Sequence, residues 1–163
     1  MEIRHTGADD LPELMRIFAA ARRFMAENGN PAQWAAGFPP QTLIEADIAA
    51  GRSYVCTESG KIAATFCFWQ GEEPTYAVIR QGAWLDDKPY GVIHRIASAG
   101  TARGAAAFCL DWCFARCGDI RIDTHRDNRP MRRLLEKNGY AYCGLIDLEN
   151  GRGERLAFQK NHL

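Results

Sequence analysis

An α/β fold with a mixed, mostly antiparallel central sheet flanked by helices is predicted by three features of the sequence. Strand-like segments joined by tight turns occur around residue 60 and around residue 150, the mark of antiparallel hairpins. Between them, a strand, a helix and a second strand follow directly over residues 90–124, and such a crossover joins parallel neighbours. Two helical stripes precede the first hairpin and one more precedes the last. The order is therefore β-α-α-β-β-β-α-β-α-β-β.

Glu2 to Thr6 reads as the first strand. Asp10 and Glu13 form a capping-box pattern, D-x-x-E, with Pro12 in the first turn, where its missing N–H costs nothing. Leu11, Leu14, Met15, Phe18 and Met25 continue as a helical stripe that ends at Glu27-Asn28-Gly29. Residues 30–40 are a loop, with Pro31, Pro39 and Pro40 around Trp34 and Phe38, and a second helix runs from Gln41 to Ala50. Ser53 to Thr57 and Lys61 to Trp69 are the arms of the first hairpin, turned by Glu58-Ser59-Gly60. Gln70 to Pro89 is irregular, interrupted by Gly71, Pro74 and Gly82. Then follow a strand over Tyr90 to Ser98, a helix over Gly104 to Cys117, a strand over Ile120 to Thr124 and a helix over Pro130 to Asn138. Strands over Ala141 to Leu148 and Glu154 to Gln159 form the last hairpin, with a turn at Glu149 to Gly153.

The 163 residues, 1–163, fit a single domain with room for a packed core. Hydrophobic residues make up 47% and charged residues 25%, which excludes a disordered or fibrous chain. Twenty Lys and Arg balance twenty Asp and Glu, so net charge gives no bulk attraction to nucleic acid or to an anionic membrane. Met1 to Thr6 lack an apolar signal region, and no apolar run approaches the roughly 18 residues of a membrane span. A cytoplasmic protein is expected, with neither nucleic acid nor membrane as partner. Six cysteines are then expected as thiols, three of them (Cys109, Cys113, Cys117) on one helix face. Neither C-x-x-C nor H-x-x-x-H occurs, so no metal is expected.

The chemistry concentrates in two segments. In YGVIHRIASAGTARGAAA, Tyr90 to Ala107, a strand enters a loop with Gly100 and Gly104 and a helix starts at once. Amides at a helix N-terminus attract anions, the small residues Gly104 to Ala107 let a phosphate approach the backbone, and Arg103 adds positive charge. The same pattern also suits a plain β-α turn with tight helix-on-sheet packing. In IRIDTHRDNRPMRRLLEKNGY, Ile120 to Tyr140, Asn128 fits a helix N-cap and Gly139 a helix C-terminal stop.

Together these segments resemble the GNAT N-acetyltransferases. In that family a loop written Q/R-x-x-G-x-G/A opens the helix that holds the CoA pyrophosphate. Thr101-Ala102-Arg103-Gly104-Ala105-Ala106 stands in its place, with Thr101 where Gln or Arg is usual. The later pattern N-x-x-A/M-x-x-L-Y-x-K-x-G-F matches Asn128, Met131, Leu134, Lys137, Gly139 and Tyr140. The resemblance implies the GNAT fold, with a β-α-β core that binds acetyl-CoA as co-substrate. By position, backbone groups of Ile96, Ala97 and Ser98 would pair with the pantetheine arm. Residues Thr101, Ala102, Arg103, Gly104, Ala105 and Ala106 would hold pyrophosphate, Asn128 would hydrogen-bond the cofactor, and Met131 and Leu134 would flank it.

The implied reaction moves an acetyl group directly to an amine of a small molecule or peptide. The base is often a carboxylate on the strand before the pyrophosphate loop, but Tyr90 to Ser98 carries none. His94 takes its place as candidate base, sharing a face with Val92 and Ile96 by strand parity. His125, where the two central strands would splay around the thioester, is the second candidate. The family's acid, a tyrosine, is Leu135 here. An acceptor pocket would draw on the first two helices and residues 70–89, which offer Trp34, Phe38, Trp69, Tyr76 and Trp84 with Glu72, Glu73, Asp86 and Asp87, although core aromatics and solvated loop acids account for most of them equally simply. A non-catalytic acyl-CoA-binding or regulatory module is the rival reading, and homodimerisation is left open.

Overall fold

The computed structural model describes residues 1–149 and 151–162. The strands are β1 (Glu2–His5), β2 (Ser53–Glu58), β3 (Lys61–Gln70), β4 (Gly91–Ser98), β5 (Asp119–Thr124), β6 (Ala141–Leu148) and β7 (Gly153–Asn161). The helices are α1 (Leu11–Glu27), α2 (Gln41–Ala49), α3 (Ala105–Cys117) and α4 (Arg129–Lys137). Among the described residues the strands form one sheet in the order β1-β2-β3-β4-β5-β7-β6. All neighbours in it run antiparallel except β4 and β5, which are parallel. Mixed sheet and flanking helices are as the sequence predicts, and so is the element order. The last turn contains Asn150, which lies outside the described residues.

Both sheet faces are covered, and side-chain alternation decides which residue goes where. Phe66, Ile93, Ile122, Leu156 and Phe158 face α3 and α4, packing on Cys109, Leu110, Cys113 and Leu135. On the opposite face Val55 and Ala97 meet Leu14, Phe18, Trp34 and Ile44 of α1, α2 and their connection. Further along that face Val92, Ile146 and Ala157 lie under Tyr76, which a 3₁₀ turn at Pro74–Tyr76 swings inward. Among the described residues all six cysteines are free thiols, and all but half-buried Cys117 are buried.

The expected capping box at Asp10 does not form. A 3₁₀ turn over Ala8–Asp10 precedes α1, and Asp10 instead accepts the Gly7 amide at 2.7 Å and pairs with Arg4. Glu13 turns to Arg16, one helical turn on. An aspartate with an arginine in reach forms the stronger, charge-assisted bond. Asn128 does cap α4, accepting the Met131 amide at 3.2 Å.

Two irregularities shape the centre of the sheet. β4 and β5 pair only at Gly91↔Ile120 and Val92↔Arg121, and then separate. A Cβ at Gly91 would stand 2.8 Å from Cys117 Sγ and from Phe68 and 2.9 Å from Ile120, so the last turn of α3 closes on β4 where the strands meet. Second, Thr65 lies opposite Ala97 but Cys67 opposite His94, so three steps of β4 face two of β3. That is a β-bulge, with Arg95 at φ 51°. The bulge corrects the parity expected from sequence. His94 shares a face with Val92, but the extra residue turns Ile96 to the α3 side, with Ile93.

Candidate functional site

A cavity of about 400 Å³ opens where β4 and β5 separate. Ile93, His94, Arg95 and Ile96 of β4 and Ile122, Asp123 and Thr124 of β5 line it, with Asn128 and Met131 from α4. Trp34 and Phe38 from the α1–α2 connection, Trp69 from the end of β3, Glu73 just beyond it, and Arg152 and Arg155 from the final hairpin add to the walls.

His94 stands between two carboxylates. Its Nε2 is 3.6 Å from Glu73 and its Nδ1 is 3.9 Å from Asp123, with all three side chains under 20% exposed. Trp69 lies against the imidazole at a ring-centre distance of 5.3 Å. Asp123 accepts the Tyr76 hydroxyl at 2.5 Å, and burial followed by the Asp123 charge pushes that phenol well above its ordinary pKa. Burial also works to raise Glu73, but His94 and the Thr75 hydroxyl at 2.8 Å outweigh it and hold the carboxyl below its usual range. The site therefore presents ionised Glu73 beside the imidazole at neutral pH.

Arg95, the bulge residue, donates two hydrogen bonds of 2.8 Å to the carboxylate of Asp47 on α2. Both side chains are largely buried, so each needs the other. The pair ties α2 to the point where β4 turns.

Beyond the bulge, β4 runs through Ala97, buried on the α1 face, to Ser98, whose Oγ accepts the Gly100 amide at 3.2 Å. Gly100 and Gly104 take φ of +75° and +80°, and a Cβ at either would meet nothing within 4 Å. The turn thus faces open space. Among the described residues no well-formed acceptor meets the amides of 101–107; the next, that of Phe108, bonds the Gly104 carbonyl at 3.0 Å. These amides crown a helix of 13 residues, an anion-attracting arrangement.

The structure gathers His94, Ile96, Asn128 and Met131 on the cavity wall, with Ala97, Ser98 and Thr101 to Ala106 continuing from it along the edge of β4 into α3. Leu134 packs into the α3-side core instead. Asn128 is 8% exposed, with its carbonyl on Met131 and its amide donating to Gln33 at 2.8 Å. His125 does not line the cavity: its Nδ1 accepts the Asp127 amide at 3.0 Å, which leaves Nε2 with the proton. Burial, then Arg155 and Arg126, hold its pKa below the ordinary value. Leu135 is fully buried, as is Tyr76, while Trp84 packs against Tyr76 and donates to its carbonyl at 2.9 Å. Asp123, Arg152 and Arg155 are site residues that sequence reasoning missed. Two charged residues, Arg121 and Asp123, alternating with Ile120 and Ile122 in a central strand were the available signal for Asp123.

Among the described residues no group of three or more His, Cys, Asp or Glu is placed to hold a metal ion, and no helix is long and apolar enough to cross a membrane.

The family model for the acetyltransferase (GNAT) family matches residues 13–140. No curated protein matches the chain. A GNAT-family acetyltransferase structure from Streptococcus agalactiae 2603 is 33% identical, covers 99% of this chain and 95% of its own, and superposes with a TM-score of 0.90. A structure from Staphylococcus aureus Mu50, 24% identical over 99% of both chains, shares the fold at a TM-score of 0.70. So does a GNAT-like decarboxylase, GphF, in complex with isobutyryl-CoA, at 12% identity, 99% coverage of both chains and a TM-score of 0.67. With the open β4–β5 junction and the amide-lined turn in place, the match over residues 13–140 shows that this chain belongs to the GNAT acetyltransferase family.

Proposed function

We propose that residues 1–163 form one cytoplasmic domain that transfers the acetyl group of acetyl-CoA directly to an amine of a small molecule or peptide. The observation that carries this reading is the pair of strand edges left open after Val92 and Arg121, which leads to the unsatisfied amides of 101–107. Backbone edges inside a fold need partners. An extended chain rich in amides, ending in a pyrophosphate, fits both features at once. Ile96, Ala97 and Ser98 would pair with the pantetheine, and Thr101, Ala102, Arg103, Gly104, Ala105 and Ala106 would hold the pyrophosphate. Met131 would flank the arm from α4, with Leu134 behind it and Asn128 bracing the entrance to that helix. The solved complex of a protein of this fold with isobutyryl-CoA supports the same ligand class.

Acetyl-CoA supplies an activated thioester carbonyl. The chain must supply an uncharged amine and a site for developing negative charge. Glu73 and Asp123 attract the ammonium form, and His94 between them takes its proton, leaving the lone pair free to attack. The two carboxylates then stabilise the imidazolium. An amide of the freed β4 edge at Ile96–Ser98 meets the charge that develops on the carbonyl oxygen. With Leu135 buried in the core, the C–S bond breaks and water relays to the departing thiolate the second proton that the nitrogen loses on becoming an amide.

The test is calorimetric titration with acetyl-CoA, followed by an acceptor screen that records release of the CoA thiol. Binding with turnover of at least one amine is expected. Binding without turnover across a broad amine panel would establish the rival acyl-CoA-binding module, and absence of binding would refute both.

A further inference from the structure

The cavity has a second pole that the transfer reaction does not use. Arg155, on β7, is only 3% exposed and lines the cavity. Its guanidinium donates to three carbonyls, of Arg152 at 3.1 Å, Glu154 at 2.9 Å and Gln33 at 3.0 Å. Arg152 is exposed at the cavity rim, in a turn whose Glu149 also lines the cavity, and it lies over the Phe38 ring at 3.8 Å. Among the described residues neither arginine has a carboxylate within ion-pair distance, whereas half-buried Arg95, on another wall of the cavity, is paired with Asp47. A buried guanidinium bonded only to carbonyls lacks the contact ion pair that offsets its desolvation. Burial lowers the pKa of both Arg152 and Arg155, with Asp123 working the other way.

The sheet register fixes how far this pole lies from the proposed reaction centre. Asp123 pairs with Ala157, so Asp123, Ala157 and Arg155 share a face, and Arg155 sits two residues further along. Two strand residues span roughly 7 Å. His94 and Glu73 adjoin Asp123 on its other side. One end of the cavity is therefore suited to an ammonium group and the other to an oxyanion, with Trp34, Phe38 and Trp69 between and around them.

Resting on the acyl-transfer reading above, we propose that the acceptor is a small amine that carries its own anionic group, a carboxylate or phosphate a few bonds from the nitrogen, held by Arg152 and Arg155. The amine end docks at Glu73, His94 and Asp123. A neutral or purely cationic amine would leave buried Arg155 with no ion-pair partner among the described residues, only the more distant charge of Asp123.

The experiment uses matched pairs. Phenylalanine is compared with phenylalaninamide, and phosphoethanolamine with ethanolamine, in the CoA-release assay and by calorimetric titration into the protein saturated with CoA. The anionic member of at least one pair should show kcat/KM and affinity at least tenfold above its partner, and which pair responds identifies carboxylate or phosphate. In Arg152→Gln that preference should collapse to about one through a rise in KM, and Arg152→Lys should restore part of it. Arg155→Gln removes a buried group and is used only if its circular dichroism and melting profile match the parent. Equal or better use of the uncharged partners, or a preference that survives Arg152→Gln, would overturn the proposal. So would the absence of calorimetric binding by every anionic amine. Binding of an anionic amine without CoA release would support the anion pole and refute the acyl-transfer reading instead.

Discussion

Asp119→Asn should stabilise the protein at neutral pH. Asp119 opens β5 and is 4% exposed. One of its oxygens accepts from Gln159 at 2.7 Å and the other has no partner. Asp86 comes from the irregular segment to the same glutamine, at 3.3 Å, and accepts from Asn161 at 2.5 Å. Burial first, and then the neighbouring Asp86, push Asp119 from its usual 3.8 up to about 6. A carboxyl whose folded pKa is raised contributes its full stability below the unfolded value and loses it as pH rises through the folded one. The loss therefore falls between pH 3.8 and about 6. At about 1.36 kcal/mol per unit, a shift of roughly two units makes the ionised form about 3 kcal/mol less favourable, an upper bound that any local relaxation reduces. Asparagine keeps an acceptor for Gln159 and offers Asp86 a donor, without titrating. Urea unfolding of both proteins from about pH 4 to pH 8 gives the difference, because titrating groups other than the neighbouring Asp86 cancel. The variant should equal the parent near pH 4 and exceed it by up to about 3 kcal/mol above pH 7. A difference independent of pH would refute the account of Asp119 as a carboxyl raised by burial and by Asp86.

Three further outcomes follow from the site. Gly104→Val places a branched side chain at φ +80° and into open space over the turn, so acetyl-CoA affinity measured by calorimetry should fall at least about tenfold, or 1.4 kcal/mol, in a folded variant. His94→Ala should lower turnover by roughly 10²–10⁴ and remove the acidic limb of the pH–rate profile, with CoA affinity nearly intact, while His125→Ala should retain turnover. If the two variants behave the other way round, the base is His125. Asp47→Ala strands the Arg95 guanidinium and should cost about 3–5 kcal/mol in chemical denaturation, whereas Asp47→Asn should lose less.

Much of the architecture was legible because it rests on local patterns. The hairpin turns, the stripe of Leu14, Phe18 and Met25 and the direct strand–helix–strand run over 90–124 each name an element, and boundaries differ from the structure by a residue or two. What was not legible depends on partners distant in sequence. Asp10 faced a choice between capping its own helix and meeting Arg4, and only the placement of β1 beside α1 decides it. Asp123 reads as a strand-end acid until Tyr76, 47 residues earlier, donates to it. The bulge at Arg95 has no sequence mark, since neither glycine nor asparagine stands there. Parity therefore placed Ile96 beside His94, on the wrong face.

That bulge also explains why the sheet opens where it does. Arginine at φ 51° is an unfavourable conformation, of the order of 1–2 kcal/mol, and it persists because Asp47 holds the side chain with two hydrogen bonds. Gly91 lets α3 press against the base of β4, so the strand leaves β5 from a fixed point and has already been redirected four residues later. The opposite wall is fixed by Gln33. Its side-chain oxygen accepts from Asn128 at 2.8 Å and Asn30 at 2.9 Å, and its carbonyl accepts from Arg155 at 3.0 Å. One residue of the α1–α2 connection thus braces the entrance of α4, where the donor's arm would pass, and the arginine at the anionic pole. The proposed donor and acceptor regions therefore share one hydrogen-bonded residue, Gln33.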